Sequence, residues 1–183
     1  MHPILIVLLS IVAILALLGI AVAVQPSAFS VTRSAEFTAP PAAVFPLVND
    51  FHNWSSWSPW EKLDPELKRT YSGTQAGTGA QYAWLGNKQV GEGRMTITES
   101  RPGDLVVIKL EFIKPFTVTN TTEFTFKPDG NQTVVTWTMS GTKNFFFKAF
   151  GLFMSMDKMV GGDFERGLAN MKAVVESPAS RAP

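Results

Sequence analysis

The sequence contains no cysteine. That excludes disulfide bonds and thiolate metal ligands, and it leaves the compartment open. Histidine is nearly as scarce. Only His2 and His52 occur, so a multi-histidine metal site is excluded too. An excess of either charge is also missing. Lys and Arg number 16 against 15 Asp and Glu, a net charge of +1, which offers no electrostatic reason to bind nucleic acid. Charge is wholly absent before Arg33.

In that uncharged stretch, Ile4 to Val24 is apolar apart from Ser10 and Gly19. At about 1.5 Å per residue, such a helix crosses the ~30 Å hydrocarbon core of a bilayer. Ala21-Val22-Ala23 resembles a signal-peptide cleavage site. Against cleavage, the run exceeds the usual ~7–15 apolar residues, and no Lys or Arg precedes it. A buried core helix is disfavoured because the run has no polar face. The expectation is an uncleaved single-pass anchor with its domain outside the cytoplasm. Residues 1–25 then form the transmembrane anchor, 26–28 a linker and 29–176 a globular domain. Residues 177–183, rich in Pro, Ala and Ser, form a disordered tail.

The domain opens with a strand, Phe29 to Phe37, in which Val31, Arg33, Ala35 and Phe37 alternate with polar residues. Ala39-Pro40-Pro41 ends it. Pro41 suits a first helical position, so Ala42 to Val48 reads as a short helix. A second short stretch carries Phe51, Trp54, Trp57 and Trp60. Six further strands are predicted: Leu67 to Tyr71, Gly79 to Leu85, Gly91 to Glu99, Leu105 to Ile113, Val118 to Phe126 and Thr133 to Gly141. Gly86-Asn87, Arg101-Pro102-Gly103-Asp104 and Pro128-Asp129-Gly130-Asn131 favour tight reversals. Connections this short hold no crossover helix, so the sheet is expected to be antiparallel. From Asn144 to Glu176, a spacing of 3 to 4 links Phe146, Phe150, Phe153, Asp157, Val160, Phe164, Leu168, Met171 and Val175 as one helix stripe. Gly161-Gly162 is expected to kink or split this helix, with Asp163 capping the resumed part.

The fold class is therefore α+β, a seven-stranded sheet covering one long C-terminal helix. This order resembles the helix-grip fold of the START-like superfamily, also called SRPBCC. Three segments resemble its polyketide cyclase/dehydrase branch: Ala39-Pro40-Pro41-Ala42-Ala43-Val44-Phe45, Trp54-Ser55-Ser56-Trp57-Ser58-Pro59-Trp60 and Gly91-Glu92-Gly93-Arg94-Met95-Thr96-Ile97. The resemblance spans Phe29 to Glu176 and excludes the anchor. It implies a cavity for a hydrophobic molecule between sheet and helix.

The residues support the same site independently. Five Trp and fourteen Phe are many bulky rings for one small domain, and ligand pockets are mostly apolar with a few polar groups. Strand alternation places Tyr82, Trp84, Phe112, Phe124, Trp137 and Met139 on the sheet face toward the helix. Phe150, Phe153 and Asp157 are expected to face them from the helix. Asp157 lies within an apolar stripe, where a charge is costly without a partner. It reads as a rim charge, a polar ligand anchor or an acid/base group of raised pKa. Filling of the core by these same rings is the plainer alternative. Gly77-Thr78-Gly79 and Gly91-Glu92-Gly93 do not sit at strand-to-helix turns, so a phosphate-binding loop is excluded. No cofactor and no metal are called for, and His52 has no Ser or Cys nucleophile motif beside it. The leading expectation is a membrane-anchored module binding a hydrophobic small molecule or lipid. The alternatives are a cyclase- or dehydratase-like enzyme using Asp157 or His52, and an interaction protein with a filled cavity.

Overall fold

In the computed structural model, residues 3–152 and 154–177 are described. Helix α1, Pro3–Ala23, is uniformly apolar and long enough to cross a membrane by length and composition. Its side chains are exposed until Val22, which is buried. The globular part begins with β1, Ala28–Phe37, and α2, Pro41–Asn49. Two short 3-10 turns, Phe51–Ser56 and Pro59–Lys62, follow. The sheet continues with β2 Lys68–Ser72, β3 Gln81–Leu85, β4 Glu92–Arg101, β5 Leu105–Lys114, β6 Val118–Asp129 and β7 Gln132–Thr142. Helices α3, Phe145–Phe150, and α4, Met156–Glu176, end the chain.

The seven strands are ordered β1-β7-β6-β5-β4-β3-β2, each antiparallel to its neighbours. Tight turns produce the run from β2 to β7. The turn between β6 and β7 uses Gly130 at φ +57°, a conformation that glycine adopts without Cβ strain. β1 enters at the edge beside β7, paired from Ala28 with Thr142 to Phe37 with Thr133. The period-2 pattern decides which side is buried. Thr133, Val135, Trp137 and Met139 of β7 are buried, as are Asn120, Thr122, Phe124 and Phe126 of β6. This face packs on α4 through Phe164, Leu168 and Met171.

The Trp-rich segment is wedged between the two layers. Trp54 donates its indole N–H to the Val48 carbonyl at 3.1 Å, and Trp57 donates to that of Leu47 at 2.8 Å. Asn170 of α4 donates to the Trp57 carbonyl at 3.0 Å. Each bond satisfies a polar group that burial would otherwise leave unpaired.

The C-terminal helix departs from expectation. The helices are separated after Phe150 and before Met156, and Gly161-Gly162 lies within an uninterrupted α4. Ser155 caps α4 by accepting from the Lys158 amide at 3.3 Å, so Asp163 is not a cap. Gly161 serves close packing instead: a Cβ there would lie 2.2 Å from Nη2 of Arg33. Phe146 and Phe150 are exposed rather than part of a core stripe, because α3 is a separate helix with its own phase. The expected disordered tail lies, after Ser177, outside the described residues.

Candidate functional site

A cavity of about 440 Å³ lies between the sheet and the C-terminal helices. Its sheet wall comprises Tyr82 and Trp84 of β3, Met95 of β4, Leu110 and Phe112 of β5, Asn120 and Thr122 of β6, and Trp137 and Met139 of β7. Its helix wall comprises Phe147 of α3 with Met156, Met159, Val160, Asp163 and Phe164 of α4. Trp54, Ser58, Trp60 and Glu61 bring the Trp-rich segment into the same space. Local sequence explains the shape. Gly93 leaves room for the Trp84 indole to lie across β4, since a Cβ there would meet the ring at 2.3 Å and the Glu111 carbonyl oxygen at 2.6 Å. Gly167 does the same beneath Trp137, where a Cβ would approach the indole to 2.8 Å.

Tyr82, Trp84, Phe112, Trp137 and Met139 thus line the cavity as the strand alternation placed them. Phe124 does not line it. It is wholly buried and stacks against Trp137 with ring centroids 4.7 Å apart. Phe150 and Asp157 do not line this cavity; they line a smaller hollow of about 220 Å³ formed by α3, the start of α4 and β1. Phe153 falls outside the described residues. The Asp157 carboxylate is exposed and paired bidentately with Arg33, at 2.7 and 3.1 Å. That guanidinium also donates to Glu165 at 2.6 Å. The Arg33 hydrogen bonds hold the Asp157 carboxyl below its ordinary value, the reverse of the raised pKa that a buried acid would have. His52 stacks on Tyr71 and bonds Asp50 at 2.7 Å, away from the cavity. Neither expected proton-transfer group therefore faces it.

The cavity has polar features that sequence reasoning missed. Glu61 has a side chain only 6% exposed, accepts from the Tyr82 hydroxyl at 2.5 Å and pairs with Arg69 at 2.6 Å. Burial, then the bond to Glu61, pushes the Tyr82 phenol up, so it stays protonated at neutral pH. Among residues lining the cavity, two buried polar atoms have no hydrogen-bond partner among the described residues: Nε1 of Trp137 and Oδ1 of Asn120. Asn120 was legible, because it shares the period-2 face of Thr122 and Phe124. Glu61 gave no such signal, since a 3-10 turn has no long periodicity. Among the described residues, no group of three or more His, Cys, Asp or Glu side chains could hold a metal ion.

Comparison with solved structures shows the same architecture. Norcoclaurine synthase from Thalictrum flavum matches with a TM-score of 0.64 at 11% identity, covering 84% of this chain and 97% of that one. A Staphylococcus aureus protein of unknown function matches with a TM-score of 0.61 at 12% identity, covering 86% and 99%. The Aha1 dimer from Colwellia psychrerythraea gives 0.58 at 13% identity, covering 84% and 99%. At these identities the likeness is one of fold, the helix-grip arrangement. No curated protein matches the chain. The family described as polyketide cyclase / dehydrase and lipid transport matches residues 28–176, and with that span the chain belongs to it.

Proposed function

We propose that this protein is a membrane-anchored binding module for a hydrophobic small molecule or lipid, held between the sheet and α4. The observation carrying this reading is the cavity of about 440 Å³, whose mostly apolar wall includes Trp137 and Asn120, two residues whose buried Nε1 and Oδ1 atoms have no partner among the described residues. Natural interiors are close-packed, and buried polar atoms are normally paired. A molecule with an apolar body would fill the space, and a hydroxyl on it that reached these atoms would accept from Trp137 and donate to Asn120. The family description, with its mention of lipid transport, is consistent with that chemistry. The exposed apolar helix α1 supports anchoring, and an extracytoplasmic domain is part of the proposal. Native mass spectrometry of the full chain extracted from membranes is expected to find a co-purifying hydrophobic molecule. Leu110→Trp, which fills the cavity, is expected to abolish it. Absence of any bound mass, together with no uptake of a hydrophobic fluorescent probe, would refute the reading.

A second reading has its own support. Glu61 and Tyr82 set a carboxylate beside a protonated phenol in the cavity wall, a pairing suited to proton transfer on a hydrophobic substrate. A cyclase- or dehydratase-like activity would use this pair, and Glu61→Gln would then abolish turnover while sparing uptake. Recovery of the extracted molecule unaltered from both wild type and Glu61→Gln would exclude it.

A further inference from the structure

At the end of the sheet where α1 joins, apolar side chains face outward. Phe116 in the β5–β6 loop, Phe145, Phe146 and Phe150 of α3, and Leu152 and Met154 beyond it are each at least 42% exposed. All but Phe116 lie within ten residues of one another along α3 and just after it. The Phe116 ring meets Phe146 at 5.7 Å and Phe147 at 5.9 Å, joining loop to helix. Soluble monomers rarely expose so contiguous an apolar patch, and such patches mark interaction sites. The opposite end of the sheet turns through Arg101-Pro102-Gly103-Asp104 and Pro128-Asp129-Gly130-Asn131, which are polar.

Continuity with α1 identifies the partner. Val22 is buried near the helix end, and Lys148 of α3 donates to the Ala23 carbonyl at 3.3 Å. The Lys143 amide donates to the Ser27 carbonyl at 2.7 Å, so only residues 24–26 separate helix from domain, and the amides of Val24 and Gln25 still bond back to Ile20 and Val22. From Ala23 to Ser27 such a chain reaches at most about 14 Å. The phenylalanine crown therefore cannot move far from the point where α1 ends. Lys143, Lys148 and Lys158 flank the crown, and the nearby Asp157 is paired with Arg33. Apolar rings bordered by lysines suit the boundary between acyl chains and anionic headgroups.

We propose that this crown is a bilayer-docking surface, which seats the cavity mouth on the membrane that α1 crosses. The proposal rests on reading α1 as a membrane span. Phe116, Lys143, Phe147 and Met159 belong both to the cavity lining and to this end of the domain. A hydrophobic ligand thus passes between acyl chains and cavity without crossing water.

The absence of cysteine permits single-site labelling. The full chain carrying Phe146→Cys, or Asn131→Cys at the far turn, is labelled with bimane and reconstituted into phosphatidylcholine/phosphatidylglycerol vesicles. Spin-labelled lipid is expected to quench the label at position 146 severalfold more strongly than the label at 131, with the chain floating with the vesicles. Equal quenching in a floating chain overturns docking and leaves the anchor standing. Shielding of position 146 from aqueous iodide without quenching by lipid means a second protein copy covers the crown, which also overturns it. Failure to float overturns anchor and docking together. Phe116→Cys repeats the measurement from the β5–β6 loop, so misfolding of one variant does not decide the outcome.

Discussion

Replacing Trp137 separates packing from ligand recognition. Its side chain is almost wholly buried, lying between Phe124 at 4.7 Å and Phe164 at 4.1 Å, with Phe164 nearly parallel at 4°. Trp57 and Trp60 meet it edge-on at 5.7 and 5.9 Å. Trp137→Ala removes this whole stack and is expected to cost about 3–5 kcal/mol. At roughly 2–4 °C per kcal/mol for a domain of this size, Tm falls by on the order of 10 °C. Trp137→Phe is subtler. It keeps one ring in the stack and loses about 1–3 kcal/mol of packing. It also deletes an N–H that has no partner among the described residues, and relief of that buried donor returns about 1–3 kcal/mol. The two terms oppose each other in the delipidated chain, so the net change is expected within about 2 kcal/mol of zero. When a ligand oxygen accepts from Nε1, the donor is satisfied and no relief remains. The substitution then shows its full packing cost plus the lost hydrogen bond. Urea unfolding of the detergent-extracted full chain, followed by circular dichroism before and after lipid removal, measures both states. An equal, large cost of Trp137→Phe with and without bound lipid would refute the assignment of Nε1 as an unsatisfied, ligand-directed donor.

Gly93→Ala is expected to destabilise by about 1–3 kcal/mol, since the new methyl strikes the Trp84 ring and a backbone carbonyl that cannot yield. Gly162→Ala, whose Cβ meets only Arg166 Nη1 at 3.9 Å, is expected to stabilise by up to about 1 kcal/mol through helix propensity. Thermal melts of both variants check this, and equal effects would contradict the packing assigned to Gly93. Because Arg33 lowers the Asp157 pKa, the stabilisation is complete above the usual carboxylate range near pH 4 and is lost as pH falls through the lowered value. Wild type should therefore exceed Asp157→Asn in Tm at neutral pH, with the gap closing as pH falls below the usual carboxylate range and shrinking in high salt; a gap independent of pH would be the contrary result. The chain is expected to remain in the membrane fraction through an alkaline wash with residues 4–24 retained, and protease added to intact cells is expected to digest the domain. A soluble form starting near Val24 would reverse the first expectation, and full protection the second.

Elements that depend on local periodicity were legible before any tertiary contact was known. Alternation along β6 and β7 assigns Phe124, Trp137 and Met139 to one buried face, and Asp129-Gly130 marks the reversal between these strands. An uncharged run of helix-forming length needs no partner to be recognised, so α1 was equally legible. Tertiary structure decided the rest, because those choices depend on which surfaces meet. Helical spacing alone carried one stripe from Phe146 through Asp157 to Val175. Packing instead broke the helix after α3, turned Phe147 inward and left Phe146 and Phe150 outward. Asp157 looked like an acid in an apolar stripe until β1 brought Arg33 to it from 124 positions away in the chain. Glu61 looked like an ordinary charge in a turn until Arg69 and the Tyr82 hydroxyl met it at the cavity wall. Strand period places Phe124 and Trp137 on the same face. Only the thickness of the packed layers puts Phe124 behind the wall and Trp137 in it.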